Sequence, residues 1–297
     1  MSAIDAVVRR VADVDGVPMS ALVAEAAEPR ALVVALHGGG TTSAYFDCPG
    51  RPRLSLLRIG ASLGFTVVAL DRPGYGSSAG YPDAMARPGQ RVDLAYHAVE
   101  GLLDRAPRGA GMFLFAHSLG CELALRMATD ARGADLLGVA MAGTGRRHNA
   151  AARAILTAPD HDEMRRGLRS HLWQPTHLYP PELVGGAAIS AGGAPYESVI
   201  VKTWARQEFP ALAAKVRAPV QFIAGDHENV WESGPAALTD IADMFTASPR
   251  VVVGVQAESG HNLSVGLSAA AYHLKVLSFA EECVVARKGA CVESEAC

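Results

Sequence analysis

Nowhere among the 297 residues does an apolar run come near the ~18 residues needed to cross a bilayer, so a membrane span is not expected. The first residues, MSAIDAVVRRVADVDG, lack a basic segment leading into an apolar stretch, so no secretory leader is read there. Charge of one sign is also missing. The 27 basic and 30 acidic side chains are dispersed, and a net charge of −3 offers nothing to a phosphate backbone or an anionic surface. Nucleic acid and membrane surfaces are therefore poor partners, and a small molecule is the expected one. Cysteine is scarce. Cys48, Cys121, Cys283, Cys291 and Cys297 are odd in number and irregular in spacing, unlike a disulfide framework or a zinc site, and a reducing cytoplasm is the expected compartment. His161-Asp162-Glu163 lacks the i, i+4 histidine pair of a zinc helix. Neither metal nor cofactor is expected.

What is present is a regular alternation. AVVRRVADV and VPMSALVAEA flank Asp15-Gly16, a pair suited to the positive φ angles of a tight hairpin. Six short apolar runs follow: ALVVAL at 31–36, TVVAL at 66–70, MFLFA at 112–116, LLGVAMAG at 136–143, PVQFIAG at 219–225 and RVVVGV at 250–255. Continuous rather than alternating hydrophobicity marks strands covered on both faces, as in a parallel sheet. Val92, Ala95, Val99, Leu102 and Leu103 recur at helical spacing, with Pro107 and Gly109 ending the pattern. The alternation breaks once, over about 145–216, where Trp173, Tyr179, Tyr196, Trp204 and Phe209 are scattered among Gly, Pro, His and Arg. The expectation is a mostly parallel eight-stranded α/β core over 1–144 and 217–297, with a cap inserted at 145–216. CVESEAC at the end reads as a frayed polar tail.

Loops that close the apolar runs carry the candidate chemistry. The run MFLFA leads into Ala116-His117-Ser118-Leu119-Gly120 and then into CELALRMATDA, a strand, a turn and a helix. A sharp turn thrusts a serine hydroxyl clear of the backbone only if the residues two before and two after it are small, and Ala116 and Gly120 are. His37-Gly38-Gly39-Gly40 closes the first strand of the parallel set. Asp71-Arg72-Pro73-Gly74-Tyr75-Gly76-Ser77-Ser78 closes the second. The latter imitates a dinucleotide fingerprint, with Gly74, Gly76 and Ala79 spaced as in G-x-G-x-x-A and Asp93 downstream. Gly80-Tyr81-Pro82 follows, however, where such a fingerprint must open straight into a helix.

With these motifs in this order, the chain resembles the α/β-hydrolase superfamily of serine esterases, lipases and thioesterases over most of its length. Ala in place of the first glycine of G-x-S-x-G is a departure from the pattern. The resemblance implies Ser118 as nucleophile and His261, in Ser259-Gly260-His261-Asn262, as the base. The orienting acid falls in Gly225-Asp226-His227-Glu228, with Glu228 in the usual position and Asp226 as the alternative. HGGG is similar to an oxyanion loop, which implies Gly39 N–H, with Gly40 as a possible second donor, acting beside Leu119 N–H. The Asp71–Ser78 loop is read as structural. His37 and the tryptophans Trp173, Trp204 and Trp231 are candidate pocket walls for a substrate with an apolar or aromatic part. His117 and His273 are read as non-basic neighbours, the latter packed or at the surface, and Cys121 as a small buried residue. A serine excludes the relatives that need an aspartate nucleophile. The expected activity is cleavage of an ester, lactone or thioester through an acyl-enzyme; the alternatives are an acyltransferase or thioesterase of secondary metabolism, and a non-catalytic ligand receptor on the same fold.

Overall fold

Residues 7–157 and 160–295 are described by the computed structural model of the chain. β1 (Val8–Val14) and β2 (Val17–Ala24) pair antiparallel from Val8↔Val23 to Val14↔Val17. Asp15 and Gly16 make the turn at φ 52° and 83°, the left-handed pair that matches strand twist. β3 (Leu32–Leu36), α1 (Leu56–Ser62), β4 (Thr66–Leu70), α2 (Pro88–Leu103), β5 (Met112–His117), α3 (Gly120–Thr129) and β6 (Gly138–Ala142) follow. Four short helices come next: α4 (Ala150–Leu156), α5 (His161–His171), α6 (Glu197–Thr203) and α7 (Phe209–Ala213). β7 (Val220–Gly225), α8 (Pro235–Ala242), β8 (Val251–Gln256) and α9 (Ala269–Glu295) complete the order.

The eight strands form one sheet in the order β1-β2-β4-β3-β5-β6-β7-β8, with every pairing from β4 through β8 parallel. The six apolar runs are its six parallel strands. β3 shows why they read as continuous: Leu32, Val34 and Leu36 enter one core, Val33 and Ala35 the other, and all five are fully buried. α2, α3 and α8 cover the first face, with Val92, Ala95, Val99, Leu102 and Leu103 inward as their spacing predicts. α1 and α9 cover the second through Leu56, Leu57, Tyr272, Val276 and Val284. No helix among the described residues is long and apolar enough to cross a membrane.

The final stretch differs from expectation. α9 stays helical through Glu295, well past Val284 that packs on the second core, so most of the supposed frayed tail is helix. Cys297, like the first six residues, lies outside the described residues, as do the side chains of His161, Asp162, Glu163 and Cys291.

Candidate active site

The carboxyl ends of β3, β5 and β7, with the loop after β8, bring the four motifs to one rim. At the end of β5 the chain reverses within one residue: Ser118 has φ 52°, a left-handed conformation for a non-glycine residue. Its N–H donates to the Ala142 carbonyl at 2.8 Å and its carbonyl accepts from Cys121 N–H at 2.9 Å, so the strain is held from both sides. The turn fits only without side chains around it. A Cβ on Gly120 would clash with the Leu36 carbonyl oxygen, and one on Gly38 would lie 3.1 Å from Ser118 Cβ.

His261 follows β8 and is 2 % exposed. Its Nδ1 lies 3.0 Å from each carboxylate oxygen of Glu228, beyond β7. Glu228 also accepts from Val230 N–H at 2.8 Å and Trp231 N–H at 3.3 Å. Burial raises the Glu228 pKa, but His261 and the two amides outweigh it and hold the carboxyl below its usual range. Asp226 takes another part. Burial pushes it up, while the N–H groups of Ser259 and Glu258, each donating at 2.9 Å, bring it below its ordinary value. It therefore pins the segment leading into His261, and the acid touching the ring is Glu228.

His117 links elbow and histidine loop: its Nε2–H donates to the His261 carbonyl at 2.8 Å, and the two rings meet edge-on with centroids 5.0 Å apart. Burial and the neighbouring His261 hold His117 well below the usual imidazole pKa, so it is neutral. Among the described residues no hydrogen bond joins Ser118 Oγ to the His261 ring, and none engages His261 Nε2.

In the glycine loop, the N–H groups of Gly39 and Leu119 have no protein acceptor among the described residues, and a Cβ on Gly39 would sit 2.7 Å from Leu119 Cδ1, so the two positions face each other. Gly40 does not share this freedom. Its N–H donates to the Tyr75 hydroxyl at 2.9 Å, which removes it as a second free donor.

His37, Trp173 and Trp204 are all buried in the interior. His37 Nε2 accepts from Arg72 N–H at 3.1 Å, and burial beside the Arg72 charge holds the ring neutral. Trp173 packs edge-on to Tyr179. Trp204 stacks on Phe209 and donates to Thr144 Oγ1 at 2.8 Å. Trp231 is half-buried next to the Glu228 loop, stacked on His148 and donating to the Gly143 carbonyl at 3.0 Å. Cys121 is buried, and burial pushes its thiol up to about 12. A cleft of about 400 Å³ opens between α6 and the 82–91 segment, and none of Ser118, His261 and Glu228 lines it.

Two site neighbours escaped the sequence reading. Arg72, 1 % exposed, donates through Nη2 to the Gly38 carbonyl at 3.0 Å and to Glu197 Oε1 at 2.6 Å. Burial disfavours its charge, but Glu197 and the nearby tyrosines keep its pKa raised. Arg72 was visible inside the Asp71–Ser78 motif; Glu197 belongs to no motif and could be found only from coordinates. Asp71 is structural, as read, accepting from Ser20 Oγ at 2.6 Å and Ser43 N–H at 2.7 Å. Among the described residues no group of three His, Cys, Asp or Glu side chains converges as a metal site.

The profile of the Alpha/beta hydrolase family matches residues 33–272. No curated protein matches in a sequence search. Among solved structures, the chain is similar to a membrane phospholipase A described as a bacterial virulence factor, at 18 % identity and TM-score 0.67, over 94 % of this chain and 87 % of that one. It is also similar to an N-acyl homoserine lactonase (18 %, TM-score 0.65, 93 % and 98 %) and to the proline iminopeptidase of Mycobacterium smegmatis (18 %, TM-score 0.61, 94 % and 99 %). At this identity the likeness is one of fold.

Proposed function

Taking as premise that the chain belongs to the alpha/beta hydrolase family, we propose that it is a serine hydrolase acting on a small carbonyl substrate, an ester, lactone or thioester. The observation that carries this reading is the pairing of both Glu228 oxygens with His261 Nδ1 next to a serine held at φ 52°. Glu228 fixes Nδ1–H, leaving Nε2 as the basic nitrogen. Ser118 Oγ, turning about χ1, gives its proton to Nε2 and bonds to the carbonyl carbon. The carbonyl electron pair moves onto oxygen, where the unengaged N–H groups of Gly39 and Leu119 receive the charge. Collapse expels the alkoxide or thiolate, which takes the proton back from His261. Water, deprotonated by the same nitrogen, then cleaves the acyl-enzyme and frees Ser118. The missing Ser118–His261 hydrogen bond is compatible with this, since such bonds often tighten only once substrate is bound.

Residues 145–216 form the cap of this reading. Their contacts support it: Asn262 Nδ2 donates to the Leu172 carbonyl at 2.9 Å, Tyr179 Oη accepts from Asn262 N–H at 3.2 Å, and Glu197 lies against the glycine loop. Leaving-group choice would rest in this segment and not in the triad.

A fluorophosphonate probe should label Ser118, as located by peptide mapping, and Ser118→Ala should abolish labelling. Absence of labelling in the wild-type chain would favour the non-catalytic receptor. p-Nitrophenyl esters of graded acyl length, run against acyl-thioesters with and without an added alcohol or amine acceptor, separate hydrolysis from acyl transfer.

A further inference from the structure

The peptide between Gly38 and Gly39 is trans, so the Gly38 carbonyl and the Gly39 N–H point in opposite directions. That carbonyl meets three donors: His37 Nδ1 at 2.8 Å, Arg72 Nη2 at 3.0 Å and Thr41 Oγ1 at 3.1 Å. With the oxygen held inward, the Gly39 N–H is turned outward to the side where it finds no protein acceptor. The next peptide is fixed as well, since the Gly40 N–H donates to Tyr75 Oη.

Both clamps end on one side chain. Glu197, in the first turn of α6 and 7 % exposed, accepts from Arg72 Nη2 through Oε1 at 2.6 Å and from Tyr75 Oη through Oε2 at 2.8 Å. Its carboxylate also lies beside the loop: a Cβ on Gly39 would stand 3.2 Å from Oε2, and one on Gly193 3.4 Å. No further acceptor than Glu197 and the Gly38 carbonyl is recorded for the Arg72 guanidinium among the described residues, and its Nε is buried without a partner. Glu197 therefore fixes where that guanidinium sits, and with it the one charged donor among the three that hold the Gly38 carbonyl.

We propose that Glu197 is a positioning residue for the oxyanion site, holding the Gly39 N–H in its donor orientation through Arg72 and the Gly40 peptide through Tyr75. This rests on the serine-hydrolase reading above. Glu197 touches no reacting atom; it acts through the two side chains it joins. Because it belongs to the inserted segment while the glycine loop belongs to the core, seating that segment and readying the amide become one event.

The test uses the full chain and the ester found to be turned over by the wild type. Tyr75→Phe keeps the ring but removes both the acceptor for Gly40 N–H and the donor to Glu197. Glu197→Gln keeps the size but removes the charge opposite Arg72. Loss of one oxyanion donor costs roughly 10²-fold, so kcat and the rate of fluorophosphonate labelling should fall at least about tenfold in each, with KM unchanged. Glu182→Gln, which loses only an exposed pair with Arg51 in the same segment, should match the wild type. Should Glu197→Gln not fold around the uncompensated Arg72, Tyr75→Phe decides alone. A wild type that takes no label overturns the serine-hydrolase reading itself. A labelled wild type with unaltered kcat in the variants, or with losses confined to KM or melting temperature, overturns the positioning role and leaves that reading standing.

Discussion

Glu228 meets His261 with both oxygens at 3.0 Å from Nδ1, while Asp226, two residues earlier, accepts from the backbone amides of Glu258 and Ser259. The two carboxylates of one loop thus hold different objects, one the ring and the other the chain leading to it. Glu228→Gln should lower kcat on the order of 10⁴-fold, the effect expected when an orienting acid is replaced by an amide that permits the wrong tautomer. Asp226→Asn keeps an acceptor and should cost less than about tenfold. Steady-state kinetics on one ester decide between them, and the reverse ranking would exchange the assignments.

Ser118→Gly separates stability from activity. The serine holds φ 52°, a conformation costing roughly 1–3 kcal/mol in a non-glycine residue, partly offset in the variant by the greater freedom of an unfolded glycine. The variant should be inactive and melt at an equal or higher temperature, by a few degrees. A marked drop in melting temperature would mean that the turn is not strained.

Gly120→Ala should be among the most damaging single changes. The added methyl group would press on the Leu36 carbonyl oxygen in the centre of the sheet, where β3, paired on both sides, cannot retreat. A loss of about 3 kcal/mol or more is expected, at the upper end of overpacking effects, and denaturant unfolding measures it. Near-wild-type stability would show that α3 can move away from β3.

His273 gives a pH dependence. It is fully buried on α9 between Phe115 and Tyr272; burial lowers its pKa to about 3, with the Leu54 backbone opposing weakly, and neither ring nitrogen has a well-formed hydrogen bond. The folded chain keeps the ring neutral while the unfolded chain protonates it near pH 6.5. Because the unfolded state binds the extra proton, stability falls as the pH drops below about 6.5 and levels off below about 3. One such histidine costs about 2 kcal/mol at pH 5. His273→Leu should therefore fold at least as stably at pH 7 and show a shallower loss between pH 7 and 5. Identical slopes in the two proteins would refute this.

The strands and the elbow were legible because each rests on local necessity. An apolar run of five or six residues with turn signals at both ends has few options but a covered strand, and a serine between small residues after such a run suits a sharp turn. The contest between Asp226 and Glu228 could not be decided that way, because both follow β7 by a few residues and only the path of the loop turns one carboxylate inward. Trp173 and Trp204 stayed open for a related reason: a large aromatic in an irregular segment suits a pocket wall and a packing contact equally, and while Tyr179 and Phe209 lie close by in the chain, Thr144 stands 60 residues before Trp204. Gly40 lost its expected role to Tyr75, 35 residues downstream, a pairing no spacing rule anticipates.

The His117 bond to the His261 carbonyl joins two stretches of chain 144 residues apart. Because it grips main chain, the bond anchors the backbone of residue 261 and leaves the hydrogen bonds of that ring to Glu228. The turn that carries Ser118 and the loop that carries His261 are thereby bolted to a common frame.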